Sequence, residues 1–322
     1  MIATTQMRAT TIAALAFAGL SITPVQAQTF PTQTIRIVVG VGPGGLQDIF
    51  SRLIAPHLQT KLGQPVIVEN RVGSGGMIGA RSVAEAKPDG YTLFTASAGT
   101  FPAALLHSPP PYTMASFTPV AMMLEAGALL GIRPATGIKT FQEFVAYAKA
   151  NPKKLRYGSS GVGSPTHLSM EYMADLLKIE LTHIPYRGNV AAMTALFQGE
   201  VDIAIVNPVG FEKQIRDGEV NVLAQTTRVK IAAYDLPVLP DVIPGFAAPF
   251  WVGLLAPAAT PPEVVGKLNG AVNAVMVDAF GDQAAKSGMS PIPMTPEKFA
   301  DYVKEDTDRW AAIIKARNIK AE

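Results

Sequence analysis

The 322-residue chain contains no cysteine. That absence excludes thiol nucleophiles, CxxC redox pairs, disulfide staples and thiolate-held zinc or iron–sulfur sites. Charge is scarce too: Asp, Glu, Lys and Arg make up 16% of the residues, and 27 basic against 25 acidic residues leave a formal net charge of +2. No Lys/Arg run could track a phosphate backbone, so nucleic acid is not an expected partner. No apolar stretch reaches the roughly 20 residues a bilayer-spanning helix needs. What is present is apolar residues at 48%, with 28 Gly and 26 Pro. Such a composition supports a folded core, and the length fits two domains or one long α/β unit.

The first residues follow the grammar of a secretory leader. Arg8 closes a short n-region, Ala9 to Ile22 is apolar, and Pro24-Val25-Gln26-Ala27 places small residues at the −3 and −1 positions of a cut after Ala27. The expectation is an exported, soluble chain beginning at Gln28.

Strand and helix patterns then alternate. Thr34–Val39 reads as a strand, Gly40–Gly45 as a loop, and Leu46, Ile49, Phe50, Leu53, Ile54 and Leu58 recur at helical spacing. Strands follow at Pro65–Glu69 and Tyr91–Thr95, and a second set of strand–helix units runs from Lys139 to Gln225. The predicted fold is α/β, with parallel-rich sheets flanked by helices. Helices near Pro262–Met276 and Pro296–Lys315 have no sheet of their own and are expected to return to the first one. The expected organisation is one lobe of residues 28–125 plus 252–322, a second of 126–251 inserted into it, and a double hinge at Ala121–Ile132 and Phe250–Ala256. A ligand cleft would lie between the lobes.

Four loops share one design, in which small residues link a strand to a helix: Gly42-Pro43-Gly44-Gly45, Ser159 to Ser164, Tyr186-Arg187-Gly188-Asn189, and Asn207-Pro208-Val209-Gly210. Each presents backbone N–H groups at the positive end of a helix, so several facing one cleft would hold an anion without cationic side chains. Glycine-rich turning is the plainer explanation of any one of them. Gly40, Gly42 and Gly45 also fit G-x-G-x-x-G, with Glu69 ending the next strand, which leaves an NAD-dependent dehydrogenase as the alternative. Pro43 weighs against it by removing one N–H. No G-x-S-x-G elbow occurs. His167, Glu171 and Asp175 lie at i, i+4, i+8 and read as a solvated polar stripe or, less readily, as metal ligands; no metal or cofactor is expected. His57 is expected to be packed. Asp48 and Arg52 form an i, i+4 pair. Core packing would explain most of Phe101, Tyr186, Phe211, Phe250 and Trp251, while one or two could form an apolar cleft wall.

The chain resembles the periplasmic solute receptors of tripartite tricarboxylate transporters, the Bug receptors. The likeness rests on Pro43-Gly44-Gly45-Leu46-Gln47-Asp48 with Arg52, Leu62 to Asn70, Lys87 to Leu93, Tyr157 to Gly161 with Gly163-Ser164 and His167-Leu168, Pro185-Tyr186-Arg187-Gly188, and Trp251 to Pro257. It implies a two-lobed flytrap without catalytic activity that captures a small carboxylate and passes it, as a monomer, to membrane permease subunits. A sensory receptor for the same ligand would share this fold. By the same resemblance Gly44, Gly45 and Gln47 would clamp the carboxylate, Asp48 would fix their loop, and Ser97 and Thr100 would lie beside them. The opposite lobe would contribute Gly163, Ser164, Thr166, Tyr186, Asn189 and Asn207. Val206 stands where many relatives carry Asp, which implies a ligand without an amino group, such as a di- or tricarboxylate or an aromatic carboxylate. Phe101-Pro102 would enlarge the apolar wall.

Overall fold

The computed structural model describes residues 30–208, 210–278, 280 and 288–321; the leader and its cut after Ala27 lie outside them. The first sheet is built on β1 (Ile35–Val39), which pairs in parallel with β2 (Val66–Asn70) on one side and β3 (Thr92–Ser97) on the other. Its apolar run suits a strand covered on both faces, and Ile37, Val38 and Val39 are completely buried. β4 (Phe117–Ala126), β10 (Phe250–Pro257) and β11 (Met289–Pro291) complete the order β11-β4-β10-β3-β1-β2. The second sheet has the order β7-β6-β8-β5-β9, from β5 (Leu129–Ile132), β6 (Arg156–Ser159), β7 (Thr182–Pro185), β8 (Ile203–Val206) and β9 (Asn221–Gln225). Both sheets are mixed.

Helices cover both faces of each sheet. On the first sheet, α1 (Leu46–Leu62) and α9 (Pro262–Asp278) share one apolar layer, where Phe50, Ile54, Val264 and Leu268 meet Ile35 and Ile37. The other face carries α2 (Met77–Ala84), α3 (Thr100–Leu105) and the first turns of α10 (Pro296–Ala316). The second sheet is covered by α4 (Phe141–Ala150) and α5 (Pro165–Leu177) on one face and α6 (Asn189–Gln198) on the other. The short helices α7 (Glu212–Arg216) and α8 (Leu239–Val242) fill connections. Local sequence sets several starts. Thr140 and Glu143 form a capping box at α4, and Ser164 and Thr295 cap α5 and α10 ahead of prolines at the first helical position.

The C-terminal helices do return to the first sheet, but α10 goes further. Phe299 and Val303 pack into the first sheet's core, whereas Trp310 and Ile313 are buried with Phe144, Leu168 and Phe246 in the second sheet's core. Arg317, just past its end, donates from Nε to Glu171 Oε2 of α5 at 2.9 Å. This helix therefore ties the two sheets together, in addition to the strand passages β4–β5 and β9–β10. Among the described residues, no helix is long and apolar enough to cross a membrane.

Candidate functional site

All the glycine loops follow carboxyl ends of strands, and the topology turns those ends toward one another. In the first sheet Val252, near the start of antiparallel β10, is the partner of Ser97 at the end of β3, and Phe250 pairs with Ala126 at the end of β4. In the second sheet Val206, ending β8, pairs with Leu129, which begins β5. Only Gly127 and Ala128 separate β4 from β5. The loop ends of both sheets therefore border the same passage, the usual place for a ligand in open α/β sheets. The loops touch there: a methyl group on Gly99 would lie 2.6 Å from Pro165 Cδ, and one on Gly163 would lie 2.6 Å from Leu106 Cδ1.

The loop after β1 is braced from below. Gly44, at φ +84°, turns the chain so that its N–H donates to Asp48 Oδ2 at 3.0 Å. Asp48 Oδ1 accepts from Arg52 Nε at 2.9 Å and Asn70 Nδ2 at 2.8 Å, while Arg52 donates to Asn70 Oδ1 at 2.7 Å. Burial alone would raise the Asp48 pKa, but the Asn70 amide, the Gly44 N–H and Arg52 together hold it below the ordinary carboxylate value. Gly45 donates to Gly42 O at 3.2 Å, so the amides of Gly44 and Gly45 are engaged within the loop and are not free donors to a ligand. The N–H groups of Leu46 and Gln47 are different. Gly45 supplies no side-chain cap to α1, and among the described residues these two amides have no acceptor. Gln47 Nε2 donates to Ser97 Oγ at 3.0 Å, and the Ser97 N–H donates to Thr100 Oγ1 at 2.9 Å, so Gln47, Ser97 and Thr100 are joined to the Asp48 loop. Asp48→Asn is expected to weaken ligand affinity about tenfold by loosening this brace, since a hydrogen bond to a charged group contributes about 1.5–3 kcal/mol. Because the folded-state pKa of Asp48 is lowered, its contribution to stability holds above the unfolded carboxylate pKa and is lost as pH falls through the folded value. Acid denaturation of the Asn variant should lack that component; identical acid profiles and affinity would return Asp48 to local helix support.

The loop after β6 is closed by its own hydroxyls. Ser164 Oγ caps α5 by accepting the His167 N–H at 3.3 Å, and Thr166 Oγ1, buried, accepts the Ser160 N–H at 3.0 Å and lies within 3.1 Å of Ser164 Oγ. The Gly163 N–H donates to His167 Nδ1 at 3.0 Å. Across the sheet, α6 begins after Gly188 without a side-chain cap, and Asn189 occupies its first turn. Asn207 donates from Nδ2 to Gly127 O at 3.1 Å, which links the end of β8 to the passage between the sheets.

Several expectations need correction. The Tyr186 hydroxyl does not join the others: it reaches Glu200 Oε2 at 3.2 Å, near Arg156 at the amino end of β6. Phe101 packs edge-on against Tyr112 and Phe117 in the first core, and Trp251 is buried with its Nε1–H on Asp306, so neither forms a cleft wall. Val206 belongs to the apolar cluster of Leu129, Met193 and Leu196, so the residue type at 206 does not decide which groups face the cleft. His57 is exposed on α1, its ring edge-on to Phe280. The stripe of His167, Glu171 and Asp175 is not solvated: His167 is buried, Glu171 is held by Tyr157 and Arg317, and Asp175 pairs with Lys178 and Arg317. Glu69 is engaged by Arg36 and Arg71, which burdens the dinucleotide alternative. Asn70 was not anticipated as a brace; its place beside Val39 in the β1–β2 register is the signal that could have found it. A solvent-open hollow lined by Arg36, Lys87, Asp89 and Tyr91 lies at the amino ends of β1 and β3, away from every glycine loop.

Comparison with known proteins agrees with this geometry. The family model described as tripartite tricarboxylate transporter family receptor matches residues 50–319. The solved structure of Rpa4515 of R. palustris with adipate superposes with a TM-score of 0.82 at 30% identity, over 90% of this chain and 99% of that one. The periplasmic binding protein BugD gives 0.81 at 30% identity over 91% and 100%, and MatC from Rhodopseudomonas palustris with bound malate gives 0.79 at 33% over 88% and 100%. These are two-lobed receptors. The chain belongs to the family of tripartite tricarboxylate transporter receptors, periplasmic solute-binding proteins of the flytrap fold.

Proposed function

We propose that this chain, exported and cut after Ala27, closes two lobes on a small carboxylate in the periplasm and presents it to the membrane subunits of a tripartite tricarboxylate transporter. It acts as a monomer and catalyses nothing. Residues 28–125 with 252–322 form one lobe and 126–251 the other. The observation that carries this reading is the first turn of α1: the Leu46 and Gln47 amides have no acceptor among the described residues, on a loop rigidified by Asp48, Arg52 and Asn70. Preorganised amides at the positive end of a long helix favour an anion, and closure against the Ser164–Thr166 loop would exclude competing water. Ser97, Gln47, Thr166, Asn189 and Asn207 supply the polar surroundings.

The ligand is a di- or tricarboxylate or an aromatic carboxylate, as the adipate and malate held by the two R. palustris relatives support. It carries no amino group: the four glycine loops contain no Asp or Glu, Asp48 in the first turn of α1 has both oxygens engaged, and Glu212 beside the fourth loop accepts the Gly210 N–H. A thermal-shift screen of Gln28–Glu322 against carboxylates, amino acids and nicotinamide cofactors tests this. A ligand at 100 times its Kd stabilises by about 2.7 kcal/mol, which raises the melting temperature by a few degrees. Carboxylates lacking an amine should give the shift. A response to aspartate or glutamate would remove the amine restriction, and one confined to nicotinamide cofactors would replace the receptor with a dehydrogenase.

A further inference from the structure

Beneath the loop after β6 lies a largely buried stack, with His183 half-buried, that carboxylate capture does not by itself account for. The rings of His167 on α5 and His183 on β7 are parallel within 7°, with centroids 4.0 Å apart, and Tyr157 of β6 stacks on His183 at 4.7 Å. Both histidines end on the glycine loop. His167 Nδ1 takes the Gly163 N–H at 3.0 Å. His183 Nε2 lies 2.6 Å from Ser159 Oγ, which in turn accepts the Gly161 N–H at 3.2 Å. The two loop glycines with φ above zero, Gly161 and Gly163, thus have their amides oriented by the imidazole pair, one directly and one through a hydroxyl.

We propose that His167 is a positioning residue for ligand capture: its Nδ1, kept free of a proton, holds the Gly163 N–H and thereby sets the pose in which the Ser160–Ser164 loop meets the opposite lobe. The inference rests on the proposed function only in that this loop borders the ligand. Gly163 is buried where the loops of the two sheets touch, so water cannot replace a missing acceptor for its N–H. A neutral imidazole offers one donor and one acceptor; acceptance at Nδ1 requires the proton on Nε2. A proton on Nδ1 would set two donors against each other.

The surroundings keep the ring neutral. The charged and titratable groups around the pair are Tyr157 on β6, Glu171 and Asp175 on α5 and Arg317 after α10. Glu171 accepts from the Tyr157 hydroxyl at 2.7 Å and from Arg317 Nε at 2.9 Å, and Arg317 also reaches Asp175 at 3.9 Å. At His183 the Glu171 carboxylate favours an imidazolium, but burial outweighs it. Burial accordingly pushes His167 down to about 4, and burial together with the neighbouring His167 takes His183 to about 3. Across the ordinary pH range Nδ1 of His167 remains an acceptor.

A packing role for the stack predicts that any flat or bulky apolar side chain serves at position 167; a positioning role requires an acceptor where Nδ1 stands. Asparagine places its Oδ1 close to that point, and leucine places nothing there. The experiment uses Gln28–Glu322 with 15N labels, following the histidine ring nitrogens, the Gly163 amide resonance, and the affinity for adipate and malate in wild type, His167→Asn and His167→Leu. The expected results are an unprotonated Nδ1 on His167 from pH 5 to 8 and a Gly163 amide kept by Asn but displaced by Leu. Affinity should be retained within about threefold by Asn and lost about tenfold or more by Leu, the scale of one buried hydrogen bond. A protonated Nδ1, or a Gly163 resonance and affinity unaltered in His167→Leu, overturns the proposal. Should the wild type bind neither probe, adipate and malate are excluded as its ligand, and the Gly163 amide still decides the role of His167 on its own.

Discussion

Gly163→Val should abolish carboxylate binding and leave the protein folded. Position 163 has φ +75°, a conformation that costs a residue bearing a Cβ roughly 1–2 kcal/mol, and more for a β-branched one. That is tolerable against a typical stability of about 5–15 kcal/mol. Binding is less forgiving. The added Cβ would stand 2.6 Å from Leu106 Cδ1 and 3.4 Å from Ala103 Cα, both in the region of α3 on the opposite side of the cleft. The loops could then approach only by displacing α3 or by tilting the Gly163 amide off His167. An affinity loss of at least about a hundredfold, equivalent to about 2.7 kcal/mol, is expected in a calorimetric titration with the ligand found by the thermal screen. Gly99→Ala separates contact from strain, because Gly99 has φ −91° and its methyl would only press on Pro165 Cδ at 2.6 Å. It should weaken binding by a smaller factor with little change in melting temperature. Gly44→Val acts by another route: nothing lies within 4 Å of its Cβ, and the effect there comes from φ +84° and the loss of a well-aimed N–H on Asp48. Unchanged affinity in Gly163→Val would take the loop after β6 out of the site.

Much of the fold could be read along the chain because each strand–loop–helix unit carries its own punctuation. Ile35–Val39 ends at glycines and Leu46 opens a periodic helix, and the observed elements start within a residue or two of that reading. What could not be read is which surfaces meet. In α10, Phe299, Val303, Trp310 and Ile313 mark one buried stripe at spacings of four, seven and three, yet nothing in that stripe says that its first half faces one sheet and its second half the other. His57 shares a helix with Phe50 and Ile54 but falls outside their buried stripe, so company in sequence misled. Phe101 misled in the opposite sense, since a residue one step into a loop-borne helix turned inward onto Tyr112 and Phe117. The site divides the same way. Its glycine loops were visible because a chain turning tightly at a helix start needs them, whereas Asn70 and His183 act from neighbouring strands and enter only through sheet register. Tyr186 shows the converse: its backbone follows the correct strand end, but its hydroxyl reaches back to Glu200.

Asp306 interrupts the apolar stripe of α10, and its titration should be visible in the stability of the whole protein. The carboxyl is buried to 2% exposure, with Oδ2 accepting from Trp251 Nε1 on β10 at 2.7 Å and Oδ1 accepting from Arg309 at 2.7 Å. Burial raises its pKa from 3.8 to about 6, against the opposing pull of the Trp251 N–H and Arg309, while nearby Glu125 adds to the rise. A pKa raised on folding means the native state binds the proton more tightly than the unfolded chain. The associated stability is complete below the unfolded pKa and is lost as pH rises through the folded one. The window is therefore pH 4 to 6, and the shift corresponds to about 3 kcal/mol at 1.36 kcal/mol per unit. Asp306→Asn keeps an oxygen for Trp251 and has nothing to ionise. Urea unfolding from pH 4 to 7 should show wild type losing about 3 kcal/mol relative to that variant; parallel curves would mean that Asp306 titrates as an ordinary carboxylate. The location gives the prediction functional weight. Trp251 sits on the strand that returns from the second sheet to the first, opposite Glu125 on the outgoing strand, which in turn accepts from Tyr302 of α10. Both passages are therefore fastened to the one helix that also packs into the second core. In the proposed receptor these passages join the two lobes, so removing the ionisation with Asp306→Asn should also change the rate of ligand association measured by stopped-flow at pH 7, with wild type and variant converging near pH 4.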